Sequence, residues 1–401
     1  MTVAQAQRDL DYLMIDADTH YYEPADCFTR FMDPKLRESA ITIEINERGF
    51  ETITWNGKQL EIVEPGFFHK VLRPGSLKEM MQAVKKGLTF AEAGVQADLV
   101  PEWTSRPERL KVIRKQGLEA TFLFPTLGVL WEHHLRSDPQ ALYANLHGFN
   151  QWLYEDWSYA LDGLYGAPLL SLRDPELAVQ ELEWVLERGA RIACMKPGHA
   201  YGRSPAHPIF DPFWARVEEA GLVIGYHIGE SGYNEQYSVD FSELPDPPPN
   251  GKSALQWSNF YGDRPIMDTF ASLVMHNLFG RFPGLRMISV ENGSMWVPYL
   301  LAVMDKMKGM GRNGRWVGGR VDGRPSDIFK RHIYVSPYPE EDVQALVDAI
   351  GADRVLMGSD FPHPEGVAEP AELADRTKPL GEFVQRRFLR DNAYELLHPG
   401  A

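Results

Sequence analysis

Short apolar runs recur along this chain, each closing on small or polar residues, with helical segments between them. Eight can be marked: Tyr12 to Asp18, Ala120 to Pro125, Leu164 to Ser171, Arg191 to Lys196, Leu222 to His227, Arg286 to Glu291, His332 to Ser336 and Arg354 to Asp360. Runs of four to eight apolar residues suit strands buried on both faces. The segments before several of them, such as PELAVQELEWVLERG and PFWARVEEAG, place apolar residues at helical spacing and stop at glycine, a residue free to enter the left-handed conformation that ends a helix. Strand and helix alternating eight times predicts a TIM-type (β/α)₈ barrel. The rival, an open doubly wound sheet, is disfavoured because no GxGxxG follows the first strand.

Two long stretches break the alternation. Residues 21–118 contain ITIEINERG and FETITWNGKQLEIV, whose period-two pattern and Asn56-Gly57 pair predict small antiparallel hairpins forming a cap. Residues 228–268 contain PDPPPNG, whose prolines lack the N–H that regular structure requires, and predict an irregular lid-like loop. Both leave the C-terminal ends of strands, strands one and five, where barrel enzymes carry their chemistry. The expected domain plan is one enlarged barrel domain, 1–401, with a cap and a lid.

The chemistry follows from strand ends. Asp16, Asp18 and His20 alternate along the first run, so all three face the barrel interior, and a buried carboxylate beside a buried imidazole is costly unless a cation lies between them. His227 closes the fifth run and Asp360 the eighth, which brings both to the same mouth. That convergence predicts a metal site.

With 44% hydrophobic residues the chain can bury a large core, and its formal net charge of −15 disfavours nucleic acid and anionic membranes as partners, leaving a small molecule. Two cysteines, Cys27 and Cys194, give neither a disulfide framework nor a thiolate metal site. The first residues have no signal-peptide pattern and no run reaches the ~20 apolar residues of a membrane helix, so a cytoplasmic protein is expected.

Through DADTHYYEP, PIFDPFWARVEEAG, HIGESG, FPGLRMISVENGSMWVP and VLMGSDFPHPEG the chain resembles the amidohydrolase superfamily, in its branch of metal-dependent decarboxylases and hydrolases. The resemblance implies ligands from HxH on strand one, His on strands five and six, and Asp on strand eight. Here these positions are Asp18, His20, His227, Glu291 and Asp360, so Asp18 and Glu291 stand where that branch has histidine. Both departures add a carboxylate. They make the chain similar to the TIM-barrel non-heme diiron monooxygenases, which implies two iron ions per chain, with Glu23 and His276 completing the second ion's shell. Glu291, Asp360 and His363 are then the expected catalytic residues. The expected reaction is hydroxylation of a bulky apolar acid or its CoA thioester, with dioxygen, an electron donor and a homo-oligomeric assembly. The alternative is a mononuclear Zn- or Mn-dependent hydrolase or decarboxylase in which Asp360 shuttles a proton. A catalytically inert barrel that only binds ligands is a third class, disfavoured by the costly convergent polar residues. Two further features carry less: Lys196, which some superfamily members carbamylate although this branch does not ordinarily do so, and the basic stretch 306–324, which could meet CoA phosphates but reads better as a solvated loop.

Overall fold

In a computed structural model, residues 10–48, 50–63, 66–245, 247–248, 251–260 and 263–398 are described. Seven parallel strands form two arcs. Met14–Tyr21 pairs with Leu118–Pro125, which pairs with Leu164–Gly166. Ile192–Met195 pairs with Val223–His227, then Met287–Val290, then Ile333–Val335. The bridge Leu169–Cys194 joins the arcs on one side, and Val335–Val355 and Thr19–Phe361 join them on the other through an extended segment, 355–361, that fills the eighth place. The architecture is a (β/α)₈ barrel with insertions after strands one and five.

The flanking helices form for the reasons legible in the chain. Asp174 caps Pro175–Glu187 by accepting from the N–H groups of Glu176 and Leu177, and Gly221 ends Asp211–Ala220 with φ +63°. Their apolar stripes, including Leu182, Val185, Phe213 and Val217, join one large core cluster with the strands. The aromatic run after Asn150 belongs to the same core: Tyr21 stacks on Trp157 at 5.4 Å and meets Trp152 edge-on at 5.5 Å.

Three strand boundaries differ from expectation, each with a local cause. Strand one runs three residues further, to Tyr21, because Phe361 continues to pair beside it. The third run holds a ladder only over Leu164–Gly166, since Pro168 has no N–H to donate; Ala167 still bonds to Leu123, while Leu170 turns to Cys194. The eighth run makes no continuous ladder: Leu356 N donates to Val335, Met357 N to Phe388, and only Ser359 and Asp360 N to strand one.

The cap contains the antiparallel strands Thr42–Ile45, Glu51–Trp55 and Lys58–Gln59, with Asn56 and Gly57 both at positive φ in the two-residue turn. It also holds a second strand pair, Lys70–Leu72 with Gln96–Asp98, and the helix Leu77–Lys86. The lid region is less irregular than its prolines suggested. It carries a π-helical turn, Asn234–Ser238, and the helix Ala254–Phe260, while positions 246, 249 and 250 of PDPPPNG lie outside the described residues.

Candidate metal centre

At the barrel mouth Asp18, His20, His227 and Glu291 bring their ligand-type atoms within 4.8 Å of one another, and His20, Glu291, Asp360 and His363 form an overlapping group. All six are strand-end residues or lie just beyond one. His20 Nε2 is 3.3 Å from Asp18 Oδ1, 3.3 Å from Asp360 Oδ1 and 3.3 Å from His227 Nε2. Glu291 Oε2 lies 3.3 Å from His227 Nε2 and 3.9 Å from His20 Nε2. Ligands held tetrahedrally at ~2.0–2.2 Å from an ion are ~3.3–3.6 Å apart, which four of these five separations match.

The protonation pattern fits a cation. His227 Nδ1 lies 2.8 Å from the Ile228 carbonyl, which can only accept, so this nitrogen carries the proton and Nε2 offers its lone pair to the cluster. Burial, and then His363, pulls the His20 pKa down to about 3, so its ring is neutral as well. Asp18 Oδ1 and Asp360 Oδ2 are buried with no hydrogen-bond partner in the protein. Burial and then crowding by neighbouring carboxylates push both Glu291 and Asp360 well above the usual carboxylate range, Asp360 first among Glu291's neighbours and Glu365 first among Asp360's. Asp18 goes the other way: burial would raise it, but the His20 and His227 rings facing its carboxylate outweigh that. Orphaned oxygens, inward lone pairs and mutually repelling carboxylates are what a divalent cation would satisfy.

Backbone strain marks the same place. Glu291 and Asp360 sit at φ +52° and +56°, a conformation that costs a non-glycine residue about 1–2 kcal/mol. Tyr338 donates to the Glu291 carbonyl at 3.2 Å, and Asp360 N donates to the Asp18 carbonyl at 2.8 Å, so packing holds both residues in it.

His363 stands behind Asp360. Its Nδ1 is 2.7 Å from Asp360 Oδ1, its Nε2 is 3.0 Å from Thr126 Oγ1, and its ring stacks on His20 with centroids 4.0 Å apart. The single hydroxyl hydrogen of Thr126 goes to the Tyr21 carbonyl at 2.8 Å, so Thr126 accepts from His363 Nε2–H. One proton must therefore lie between Nδ1 and Asp360 Oδ1.

Other residues expected at the centre are elsewhere. The Glu23 carboxylate accepts from Leu127 N at 2.9 and 3.0 Å and from Gly128 N at 2.9 Å, which makes it the anchor of the loop after strand two. Burial pushes its pKa up to about 7. His276 caps the C-terminal end of the helix Arg264–Met275, which leads into strand six from its N-terminal end, at the opposite face from the mouth. Asp16 shares the buried strand but not the cluster: Oδ1 accepts from Ser359 N at 3.0 Å and Asp18 N at 3.2 Å, across an irregularity in register between Asp16 and Thr19. Lys196 donates to the His199 carbonyl at 3.2 Å and lies over the Tyr201 ring. The basic stretch follows a helix running away from the mouth, and Arg324 pairs with Asp305 there.

Two contributors carried no sequence signal. Arg109, in the outer helix Arg106–Lys115, is fully buried, donates to the carbonyls of His20 and Glu102, and packs against Phe361, so it braces strand one from outside. Only its place in PERLKVIRK was legible, and that reads as a solvated helix face. Thr126 could have been flagged as the polar residue just beyond strand two.

The amidohydrolase family model matches residues 15–398. The chain belongs to this family. It is 32% identical to an amidohydrolase from Mycobacterium avium subsp. paratuberculosis K-10, with a TM-score of 0.85 over 97% of this chain and 100% of that one. A gamma-resorcylate decarboxylase of Polaromonas sp. JS666 is 23% identical over 260 residues, 62% of this chain and 74% of the relative. A dihydroxybenzoic acid decarboxylase from the same organism, solved with manganese and 2-nitroresorcinol, shares the fold at TM-score 0.56 and 18% identity, covering 80% of this chain and 93% of that one.

These relatives overturn the expected diiron monooxygenase, because those with a stated reaction are decarboxylases and the bound metal is manganese. The geometry explains the error. With Glu23 on backbone amides and His276 at the far face, the second shell inferred from the sequence does not assemble. The two candidate ligand groups share His20 and Glu291, and one imidazole lone pair serves one ion. Nothing in the comparisons supports a CoA-linked substrate, dioxygen or an electron donor. Among the described residues no helix is long and apolar enough to cross a membrane.

Proposed function

We propose that the chain is a metal-dependent decarboxylase of an aromatic carboxylic acid, using one divalent ion, manganese or zinc, held by Asp18, His20, His227, Glu291 and Asp360. The enzyme is read as one enlarged domain, 1–401, whose cap (21–118) and lid (228–268) cover the mouth. The observation that carries the reading is the Asp360–His363 pair, 2.7 Å apart with one proton between them, beside the ligand cluster. The named activities of the relatives, on gamma-resorcylate and dihydroxybenzoic acid, supply the substrate class.

When bound, the ion would act as a Lewis acid that orients the substrate and withdraws electron density from it. Loss of carbon dioxide breaks the ring-to-carboxyl C–C bond and leaves its electron pair on the ring carbon. That carbon needs a proton, which Asp360 holds at Oδ1. His363, its Nε2–H fixed on Thr126, accepts at Nδ1 and so holds this proton on Oδ1; the proton that replaces it after each turnover comes from water admitted as product leaves. No oxidant or reductant is required.

The test is anaerobic. Manganese-loaded protein is incubated with a panel of hydroxybenzoic acids while ultraviolet absorbance follows the acid and a coupled assay follows carbon dioxide. Turnover without dioxygen, one manganese per chain, and loss on chelation with recovery on adding manganese are expected. Turnover that requires dioxygen overturns the proposal, and so does an inert panel together with hydrolysis of an amide or ester.

A further inference from the structure

One charged side chain at the barrel mouth belongs neither to the ligand cluster nor to the Asp360–His363 pair. Lys196 follows strand four, where Met195 pairs with Tyr226, so Lys196 comes level with the ligand His227 on the neighbouring strand. Burial first, and then Glu132 and Asp18, push the Cys194 thiol up, which places Cys194 on the interior side with Asp18. Side chains alternate along a strand, so Lys196, two residues on, shares that inward face. In the order of the barrel strand four lies across from strand eight, and Lys196 and Asp360 therefore enter the mouth from opposite sides.

The ammonium is fixed in place without being neutralised. Among the described residues it makes no ion pair, and its one hydrogen bond goes to the His199 carbonyl at 3.2 Å. The Tyr201 ring lies against it, centroid 4.8 Å away, and has the Arg173 guanidinium at 5.5 Å. Tyr201 sits at φ +50°, and its hydroxyl donates to Glu132 Oε1 at 2.5 Å, so the ring has little freedom. That same Glu132 oxygen accepts from Ser171 Oγ at 2.7 Å, so two neutral hydroxyls answer it and not the ammonium. Lys196, Glu132, Ser171, His199 and Tyr201 line one cavity. The lid covers this half of the mouth: the Tyr233 ring packs so closely on Gly198 that a Cβ there would come within 2.8 Å of it. Burial pulls the Lys196 pKa down against the pull of Glu132 and Glu230. A sequestered ammonium with two N–H groups unanswered by the protein calls for an anion.

We propose that Lys196 anchors a second anionic group of the substrate, distal to the carboxylate that is lost, so that this enzyme prefers dianionic aromatic acids. The inference rests on the decarboxylase reading and extends it. With one acidic group at the ion and the other on Lys196, the ring is held from the side opposite Asp360, and its reacting carbon is turned towards the proton on Oδ1. Lys196 is thus a positioning residue that sets specificity. Neighbouring strands stand about 4.8 Å apart, close to the spacing of groups placed meta on a benzene ring, which makes isophthalate the natural probe.

Calorimetric titration of the manganese-loaded protein reads binding without turnover. Isophthalate carries two charges, and its monomethyl ester keeps the shape with one. Wild type should bind isophthalate roughly 10–100-fold more tightly than the ester, the range of a charge-assisted hydrogen bond. Lys196→Met should erase that preference while manganese content and circular dichroism stay at wild-type values, and Lys196→Arg should keep most of it. Reductive methylation of the wild type, read by peptide mass spectrometry, needs no variant: isophthalate should protect Lys196 and the ester should not. Equal affinity for the two ligands in the wild type overturns the subsite alone, as does a preference that survives Lys196→Met or a Lys196 that isophthalate leaves unprotected. Manganese lost from Lys196→Met overturns it by making Lys196 part of the metal centre. Binding of neither ligand overturns it together with the aromatic-acid reading on which it rests.

Discussion

Replacing His363 with phenylalanine separates a proton carrier from a metal ligand. The ring remains, and with it the stack on His20 at 4.0 Å, but both nitrogens go, and with them the contacts of 2.7 Å to Asp360 and 3.0 Å to Thr126. Thr126 keeps its bond to the Tyr21 carbonyl, so the group left short is Asp360 Oδ1. Leaving a buried acceptor unpaired costs about 1–3 kcal/mol, partly offset here because an apolar ring replaces a buried polar one. The catalytic loss is larger. Removing the group that holds the proton in place on Asp360 should slow turnover by roughly 10²–10⁴-fold, which is ~2.7–5.4 kcal/mol on the barrier. The two measurements are the decarboxylation rate of the manganese-loaded protein and its manganese content after dialysis. The rate should fall while the metal stays at the wild-type level. If metal and rate fall together, His363 is a ligand and the proton path is wrong. If the rate stays within a few-fold of wild type, the Asp360–His363 pair is not the proton store.

Glu23→Gln tests the reassignment of Glu23 from ligand to loop anchor. The amide can accept fewer of the N–H groups of Leu127 and Gly128, so the melting temperature should fall by several degrees with metal content unchanged; metal lost at an unchanged melting temperature would return Glu23 to the centre. For chelator-stripped protein, the stability of the wild type relative to Glu23→Gln should rise as pH falls from about 7 towards 4, a comparison in which the opposing pull of buried histidines such as His20 and His133 cancels. Burial pushes Glu23 up to about 7, above its unfolded value near ~4, so folded wild type binds one more proton in that window and loses this contribution as pH rises through it. Chemical denaturation of both proteins across that range checks the sign, and a difference that grew with pH would contradict it.

The barrel was readable because burial on both faces demands continuous apolar runs, and helices packed outside it demand stripes that end at glycine. Strand termini were less legible where hydrogen bonds from neighbours decide them. Pro168 shortens strand three, and Phe361 extends strand one, yet one is visible in the chain and the other is set by a segment some 340 residues away. Asp18, His20, His227 and Asp360 could be named as candidate ligands because the chemistry of a barrel sits at its strand ends, and Glu291 followed from the family resemblance. Their number of ions could not. A glutamate or histidine near a strand end in sequence is written the same way whether it turns to the mouth, as Glu291 does, holds backbone amides, as Glu23 does, or caps a helix at the far face, as His276 does. Direction and hydrogen-bond partner are properties of the folded chain. The sequence by itself therefore determined the barrel, its two insertions and the carboxylate-imidazole character of the mouth, since these depend on local periodicity and residue type. Only the tertiary structure decided that the two candidate ligand groups share His20 and Glu291, that one proton lies between Asp360 and His363, and that Arg109 reaches in behind strand one, because each depends on atoms that distant parts of the chain bring together.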